Sequence, residues 1–357
     1  MARSLIAWLR WPVALGIIAL MFSQHREGFD RIAQRDLLWS WAIAAVGLRS
    51  FSVVLGCWRW WMLVRAQDIP FAFRDSLRIG CMGNLFNLIV PGTVGGDLTK
   101  AVLIAREKPE AKTVVTTTVI LDRVLGLLCL VLLGFLMSLA NPLLWRRPEL
   151  APALLLLAGG TLAGAIGFAI VLHPAVLTSK LLRAGLKLVG VDVTSPAEQS
   201  GGQSQTTLAR IVSQLLGAVR LYQARKRVLL AAVLMSLVIH AANATSYFCC
   251  TAALLLTAEA PSYTTHLVVV PVAEVAASVL PLPGGIGARE GALQVLFTAC
   301  GEVANADSAR NAGFYTAVGY SLASVVSALI GGLVALSLKP ADEATTRQRL
   351  KPQPAPC

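Results

Sequence analysis

The sequence predicts an all-α polytopic membrane protein with about six to eight transmembrane helices. Two further segments are predicted to be broken, re-entrant helices that belong to an inverted repeat. Three observations lead to this fold class. Hydrophobic residue types make up 56% of the 357 residues. Charged types make up only 14%, against about 25% in an ordinary soluble domain. Long apolar runs recur along the chain, and two of them are interrupted by Pro and Gly at matching positions.

The formal net charge of +12 points to lipid rather than to nucleic acid. The basic residues cluster in short segments beside apolar runs, which indicates contact with anionic headgroups and control of topology. The seven cysteines form no C-x-x-C pair, and most lie in apolar runs, so they are predicted to be buried small hydrophobes. No metal site and no cofactor are predicted.

Six apolar runs are long enough, or nearly so, to cross about 30 Å of hydrocarbon. They are 8–23, 37–62, 113–140, 150–173, 228–256 and 311–337. The first is short and resembles a signal peptide, but no clear small-residue cleavage site follows it, so a retained crossing is predicted.

Two further stretches, 75–106 and 264–300, are apolar enough for a membrane, yet Pro and Gly break each of them midway. Non-helical backbone at membrane depth is tolerated only where protein or a polar cavity surrounds it. Both stretches are therefore predicted to be re-entrant. If they spanned instead, there would be eight crossings and the pair within 113–173 would invert.

Lys and Arg concentrate on one side when the N-terminus is placed in the cytoplasm and both broken segments return to the side they entered. This bias predicts cytoplasmic N- and C-termini and favours the re-entrant arrangement. The predicted organisation is one transmembrane domain, 1–338, followed by a polar cytoplasmic tail, 339–357. The domain divides into half A, about 37–140, and half B, about 228–337, joined across a cytoplasmic loop at about 174–227.

The two broken segments share a motif. Residues 91–96 read PGTVGG and residues 283–288 read PGGIGA, and a charged residue follows each run. Proline breaks a helix, and glycine allows close backbone approach and positive φ. The freed amides and the start of the next half-helix attract anions. Matching interruptions in two inverted halves indicate a transporter binding site. The alternative is that both motifs are tight hairpin tips packed against each other.

Charged residues within apolar stretches are costly and usually face a cavity or each other. The expected pairs are Asp97 with Arg289, and Arg123 with Glu274 or Glu290. Arg49 and Arg59 lie on the crossing 37–62, where Arg59 is expected to extend toward the cytoplasmic interface. His240 is expected to make a hydrogen bond between helices. The predicted substrate-binding residues are Asn87, Pro91, Gly92, Gly95, Gly96, Asp97, Arg123, Glu274, Pro283, Gly284, Gly285, Gly287, Arg289 and Glu290.

These motifs resemble a known family. The run from Asn87 to Pro91 with Gly95-Gly96-Asp97, the run 122–126 (DRVLG) and the run 283–291 (PGGIGAREG) look like the lysylphosphatidylglycerol synthase transmembrane-region family, whose members are also called flippase-like membrane proteins. The resemblance covers roughly 10–338. In two places the chain departs from the family pattern but keeps the charge. Thr99-Lys100 stands where Arg is common, and Asp122 stands where Glu is common.

The resemblance implies a multi-pass protein of the bacterial cytoplasmic (inner) membrane. In fused members this region looks like the flippase that moves an aminoacylated phosphatidylglycerol outward. Only a short polar tail follows Leu338, so synthase activity is not expected and this is predicted to be a stand-alone member. The expected partners are a membrane phospholipid or lipid-linked substrate and a separate lipid-modifying enzyme, and not nucleic acid.

The sequence favours a lipid flippase or transporter that moves a phospholipid, or an aminoacylated or glycosylated lipid, between leaflets. Enzymatic motifs such as G-x-S-x-G, H-E-x-x-H and the Walker A lysine are absent. No enzyme is therefore expected, and any transport is expected to be driven by a gradient or to run downhill. One alternative is an accessory membrane protein for lipid or envelope biosynthesis that transports nothing. Another is a membrane-embedded lipid transferase, for which Asp97 with Glu290 is the candidate catalytic pair.

Overall fold

The structure, a computed structural model, describes residues 37–89, 95–172, 225–255, 260–279, 285 and 287–338. These residues form nine α-helices and three short 3-10 turns, Pro109–Ala111, Leu144–Arg146 and Pro148–Leu150. The helices are α1 Trp39–Arg65, α2 Phe73–Ile89, α3 Gly95–Glu107, α4 Lys112–Ala140, α5 Ala151–Leu172, α6 Lys226–Leu254, α7 Tyr263–Val279, α8 Ala288–Cys300 and α9 Ala306–Ser337.

Five of these helices, α1, α4, α5, α6 and α9, are long and apolar enough to cross a membrane. They correspond to five of the six predicted crossings, so the prediction of a polytopic all-α membrane protein is confirmed for this part of the chain. The predicted crossing 8–23 and the tail 339–357 lie outside the described residues. So does the predicted loop 174–227, apart from its last three residues.

Each predicted broken segment is a pair of antiparallel helices, and we call the pair α2–α3 the first hairpin. Arg78 near the start of α2 forms an ion pair with Glu107 at the end of α3. Gly83 and Gly96 lie against each other closer to the break. Contacts near the open end thus join distant residues, whereas contacts near the break join residues close in sequence.

The second hairpin is α7–α8, and its contacts follow the same antiparallel pattern. At its open end, the hydroxyl of Thr265 donates to Glu302, which comes just after α8. The rings of His266 and Phe297 lie 5.0 Å apart between centroids. Nearer the break, Glu274 of α7 pairs with Arg289 of α8.

The first helices of the two halves, α1 and α6, run side by side in opposite directions. As residue numbers rise along α1, those of the contacted residues in α6 fall. The contacts are Leu38 N to Ala253 O at 3.3 Å, Ser246 Oγ to Ala45 O at 2.8 Å, Ser52 Oγ to Ile239 O at 3.3 Å and Arg59 Nη1 to Ser236 Oγ at 2.6 Å. Corresponding helices of the two halves are therefore inverted.

The packing of the other helices follows the same pseudo-twofold relation. The first hairpin packs through α2 on α9, and the second packs through α7 on α4. Likewise α1 contacts α9, while α6 contacts α4. Each hairpin thus packs against helices of both halves, and the matching contacts agree with the predicted inverted repeat within the described residues and bring the two hairpins to a shared interior.

One buried ion pair corrects an expectation for α1. Arg59 does not extend toward an interface, because its side chain is only 9% exposed and its Nε lies 2.7 Å from Oδ1 of Asp122. Its Nη1 donates to Ser236 of α6. An arginine on α1 therefore joins α1, α4 and α6, since a buried charge is retained only when it is paired and hydrogen-bonded.

Candidate functional site

A polar cavity of about 280 Å³ lies between the two hairpins. Six helices contribute its walls. The polar side chains that line it are Arg49 of α1, Asn84 and Asn87 of α2, Arg123 of α4, Glu274 and Ser278 of α7, Arg289 of α8, and Tyr320, Ser321 and Ser324 of α9. Both halves and both hairpins thus contribute to one cavity, as expected for a site at the interface of inverted repeats.

The second hairpin contributes a buried ion pair. Nε of Arg289 lies 3.1 Å from Oε1 of Glu274, and the hydroxyl of Tyr247 also donates to that oxygen. Nη1 of Arg289 donates to Oγ of Ser321 at 3.3 Å. The guanidinium lies 5.5 Å from the centroid of the Tyr320 ring, within the range of a cation–π contact. These contacts fix the position of Arg289 in the cavity wall.

The start of α8 depends on two glycines of the second motif. Gly285 has φ +72° and Gly287 has φ +91°, a region that favours glycine. Gly287 is the N-cap of α8, and its amide donates to the carboxylate of Glu290 in the first turn. Glu290 therefore stabilises its own helix start, and it also accepts a hydrogen bond from Ser321.

In the first hairpin, the two arms approach each other at Gly95 and Gly96, the last two residues of the PGTVGG motif. The amide of Gly96 donates to Oδ1 of Asn87 at 2.6 Å, which ties the start of α3 to the end of α2. A Cβ atom on Gly96 would lie 2.4 Å from the carbonyl oxygen of Gly83. Only glycine fits this close approach between the two arms. Gly95 beside it is also buried.

Asp97 follows in the first turn of α3 and faces two cations. Its Oδ2 lies 3.5 Å from Nη1 of Arg123, and its Oδ1 lies 3.9 Å from Nζ of Lys100. The side chain of Arg123 is 42% exposed, so this pair is far more open than the pair in the second hairpin. The ion pair links the first hairpin to α4.

The expected pairing of these charges was wrong. The structure pairs Asp97 with Arg123, and Arg289 with Glu274. The reason is the hairpin geometry. Because α7 and α8 are antiparallel, Glu274 lies opposite Arg289 on the neighbouring arm, whereas Asp97 on α3 lies against α4.

The predicted substrate-binding residues that the structure describes fall into two groups. Asn87, Arg123, Glu274 and Arg289 line the cavity. Gly95, Gly96, Asp97, Gly285, Gly287 and Glu290 lie at the hairpin breaks and helix starts beside it. Pro91, Gly92, Pro283 and Gly284 lie outside the described residues. The role of this set in substrate binding stays a prediction.

Several cavity residues were missing from the predicted set, and Arg49 is the most prominent. A charged residue within an apolar crossing was the signal that identified Arg123, and Arg49 carries the same signal. Asn84 stands in the first broken segment, close to Asn87. The serines and Tyr320 of α9 carry no such signal, since isolated hydroxyls are common in transmembrane helices.

Two expectations away from the cavity are confirmed. Nε2 of His240 lies 2.8 Å from the carbonyl oxygen of Gly126, a hydrogen bond between α6 and α4. The six cysteines within the described ranges are all buried and free. In the part of the chain that the structure describes, no group of three or more His, Cys, Asp or Glu side chains is placed to hold a metal ion.

The cavity has an excess of positive charge. Three guanidinium groups, those of Arg49, Arg123 and Arg289, line it together with one carboxylate, that of Glu274. Arginine is well suited to binding phosphate and carboxylate because its donors form a planar fork.

The fold and the cavity define a class, that of multi-pass α-helical membrane proteins built as an inverted repeat around a polar interior. The chain belongs to the family described as the lysylphosphatidylglycerol synthase TM region, whose model matches residues 5–332. Neither a curated protein nor a solved structure matches the chain. Family membership and the apolar helices together connect the protein broadly to membrane lipid.

Proposed function

We propose that the protein is a lipid flippase or transporter that moves a phospholipid or modified lipid between the two leaflets of the bacterial inner membrane. The observation that carries this proposal is the position of the arginine-lined cavity. It lies where the two hairpins of an inverted repeat meet, and residues from both halves line it. Rocking of one half against the other would open such a site first to one side and then to the other.

The lengths of the hairpin arms support a re-entrant arrangement in the membrane. The 13 residues of α3 and the 13 of α8 each give a helix of about 20 Å, which is short of the hydrocarbon thickness of about 30 Å. Because the arms of each hairpin are antiparallel, both ends return to one side. We propose that both termini lie in the cytoplasm, as the distribution of Lys and Arg predicts.

An apolar groove beside the cavity supports an amphipathic substrate. The groove has a volume of about 320 Å³ and lies between α1, α6 and α9. On α9, Val318, Leu322 and Val326 face the groove, whereas Ser321 and Ser324 face the cavity. We propose that an acyl chain of the substrate lies along this groove.

We propose transport rather than a transferase reaction, because the acids near the cavity have structural partners. Asp97 contacts Arg123 and Lys100, and Glu290 caps α8. Neither carboxylate is placed as an unpaired general acid or base. A separate lipid-modifying enzyme would supply the substrate if the transported lipid carries a modified headgroup.

Reconstitution into liposomes tests this proposal. Vesicles carrying a phospholipid labelled on its acyl chain are treated with an impermeant quencher, and the fraction of label that moves between leaflets is followed over time. The parent protein should move lipid faster than empty vesicles. Arg123→Ala should reduce the rate at least tenfold, because it removes a cavity cation, while Lys100 still contacts Asp97.

Arg310→Ala is the matched control. Arg310 is an exposed arginine that pairs with Asp307 in the first turn of α9. The control should transport at the parent rate. Absence of any lipid movement by the well-folded parent would favour an accessory role, and a modified lipid in the vesicle extract would favour a transferase. Full activity of Arg123→Ala would contradict the site assignment.

A further inference from the structure

We infer that a further lipid site lies outside the polar cavity, in an apolar groove between α4, α5 and α6, and that it holds an acidic phospholipid. The acyl chain lies in the groove, and the phosphate lies at Lys226 and Arg227 at the start of α6. This inference does not depend on the proposed transport, because it concerns a lipid that stays bound to the protein. Two features carry it, namely the shape of the groove and the charge at its end.

The groove has a volume of about 380 Å³ and is lined by apolar or small residues. They are Leu121, Val124, Leu125 and Leu128 of α4, Gly160, Ala163, Gly164, Gly167 and Phe168 of α5, and Leu229 of α6. Helices α5 and α6 both pack on α4, and the groove is the space that remains between them. None of its residues lines the polar cavity or the groove between α1, α6 and α9. It is therefore a separate feature of the molecule.

The glycines of α5 show that this space is not needed for helix packing. A Cβ atom on Gly160 would lie 2.9 Å from Cγ1 of Val131, and one on Gly164 would lie 2.7 Å from Cδ2 of Leu128. These two glycines let α5 approach α4. Gly167 differs, because it lines the groove and nothing lies within 4 Å of its Cβ position. The space beside Gly167 is thus open to a ligand.

The groove extends from one end of the helices toward their middle. Leu229 is the fourth residue of α6, and Phe168 lies one turn before the end of α5. Along α5 the groove covers the eight residues between positions 160 and 168, which is about 12 Å. One leaflet contributes about 15 Å, half of the hydrocarbon core. The groove therefore has the depth of a single leaflet, on the side where α5 ends and α6 begins.

Basic residues lie at this end of the groove. Arg225, Lys226 and Arg227 follow one another at the start of α6, and Arg225 pairs with Asp68. Lys226 and Arg227 are exposed, and neither forms an ion pair within the described ranges. Lys226 lies three residues before Leu229, so it is on the face of α6 that lines the groove, one turn nearer the helix end. Two cations are thus available to an anionic group there.

An apolar groove with cations at its end is complementary to an acidic phospholipid. An unfilled groove loses packing contacts, and acyl chains are the flexible apolar groups that surround a membrane protein. Basic residues just outside a transmembrane helix attract anionic headgroups, with about a fivefold gain in affinity for each Lys or Arg. A second copy of the chain fits less well. A twofold contact across the groove would bring Lys226 and Arg227 of both copies together, and like charges repel.

Filling the groove tests this inference, with a matched control on the same helix. Gly167→Leu places a side chain in the groove. Gly159→Leu places the same side chain at an exposed position outside it, and nothing lies within 4 Å of either Cβ position. The full chain is purified in detergent and titrated with phosphatidylglycerol, and retained lipids are counted by native mass spectrometry. Gly167→Leu should retain one lipid fewer than the parent, and Gly159→Leu should match the parent. Equal lipid counts in the two variants would overturn the site.

Removing the charges tests the assigned headgroup. The double variant Lys226→Gln with Arg227→Gln keeps the contact of Arg225 with Asp68. It should bind this phosphatidylglycerol at least tenfold more weakly than the parent, and its affinity for phosphatidylcholine should not change. Arg310→Gln is the surface control and should bind like the parent. An unchanged preference for phosphatidylglycerol in the double variant would overturn the inference. Displacement of the lipid by millimolar inorganic phosphate would show a site for free phosphate and would also overturn it.

Transport in liposomes separates this site from the proposed function. Gly167→Leu should move labelled lipid at the parent rate, because the groove shares no residue with the polar cavity. If the parent moves no lipid but Gly167→Leu still retains one lipid fewer, the proposed transport fails and the groove site stands. If Gly167→Leu keeps its lipid count but changes the number of chains in each complex, the groove holds a second copy and the inference is wrong.

Discussion

The two hairpins have the same architecture but are held by different charge pairs. In the second hairpin, Glu274 and Arg289 join the two arms to each other, and their side chains are 24% and 9% exposed. In the first hairpin, Asp97 pairs instead with Arg123 of α4, whose side chain is 42% exposed. Near the break, the second hairpin is thus joined internally by a buried pair, whereas the first is attached to α4 by a more open one. The ion pair between Arg78 and Glu107 joins the arms of the first hairpin only at its open end.

A similar difference recurs where the first helix of each half contacts the last. In half A, Arg59 of α1 and Asp122 of α4 form a buried ion pair. In half B, the hydroxyl groups of Thr251 of α6 and Thr316 of α9 form a hydrogen bond of 2.6 Å. Inverted repeats preserve the positions of contacts, while each half is free to change their chemistry. A rocking mechanism is compatible with such asymmetry, because opening toward the two sides then breaks different contacts.

The largest difference between the hairpins should appear on removal of one acid from each. Glu274→Gln leaves the Arg289 guanidinium buried without a carboxylate, and breaking a buried pair costs about 3–5 kcal/mol. Asp97→Asn should cost at most about 1 kcal/mol, because the side chain of Arg123 is 42% exposed. Denaturant unfolding in mixed micelles measures both free energies of unfolding.

The double variant Glu274→Gln with Arg289→Met serves as the control for this comparison. It removes both charges, so it should recover more than half of the loss seen in Glu274→Gln. Equal losses in Glu274→Gln and Asp97→Asn would contradict the contrast between a buried and an open pair.

Glycine substitutions test how tightly each hairpin closes, with an intermediate effect. A Cβ on Gly96 meets backbone of the opposite arm, the carbonyl oxygen of Gly83 at 2.4 Å. A Cβ on Gly285 meets the side chain of Ala277 at 2.8 Å, with the added strain of φ +72°. Gly96→Ala and Gly285→Ala should each cost about 1–3 kcal/mol in the free energy of unfolding.

Gly291→Ala on α8 is the matched control, because nothing lies within 4 Å of its Cβ position. Its stability should equal or exceed that of the parent, since alanine favours a helix over glycine. If Gly291→Ala lowered the free energy of unfolding as much as Gly96→Ala, close approach of the two hairpin arms would not be the reason for glycine at position 96.

The smallest effect is expected at the junction between the halves. Asp68, just after α1, accepts two hydrogen bonds from Nη2 of Arg225, at 2.7 and 2.6 Å, immediately before α6. This contact with Arg225 lowers the pKa of Asp68 below its ordinary value. A lowered pKa in the folded state means that the contact stabilises the fold above the ordinary carboxyl pKa, and that this contribution is lost as pH falls through the lowered value.

Asp68→Asn should therefore unfold at a slightly lower temperature than the parent at pH 7, and the two should converge under strongly acidic conditions. Thermal scans of both proteins across this pH range measure the difference. The side chain of Asp68 is 74% exposed, so the change in unfolding temperature should be smaller than for any of the other variants. A gap that widened on acidification would contradict the assigned direction of the pKa shift.

Much of the fold follows from local properties of the sequence. Hydropathy identified the five described crossings, because about 20 consecutive apolar residues suffice to cross a membrane wherever the rest of the chain lies. The Pro-Gly runs identified the two breaks, because proline and glycine act on the backbone at their own positions. The distribution of charge along the chain was enough to predict that the halves are inverted.

The partners of the charged residues could not be predicted in this way. Arg59 was expected to reach an interface and instead pairs with Asp122, which lies on a different helix. Arg49 contacts Asn84 and Ser324, far away in sequence, and only the approach of α1, α2 and α9 brings them together.

The sequence by itself determined which segments are apolar, where two of them break and which residues carry charge at membrane depth. Only the tertiary structure decided which charges pair with each other and which of them line the cavity. The physical reason is that a break or a crossing depends on neighbouring residues in the chain. An ion pair depends on the register between antiparallel helices, and a shift by one residue turns a side chain about 100° around its helix.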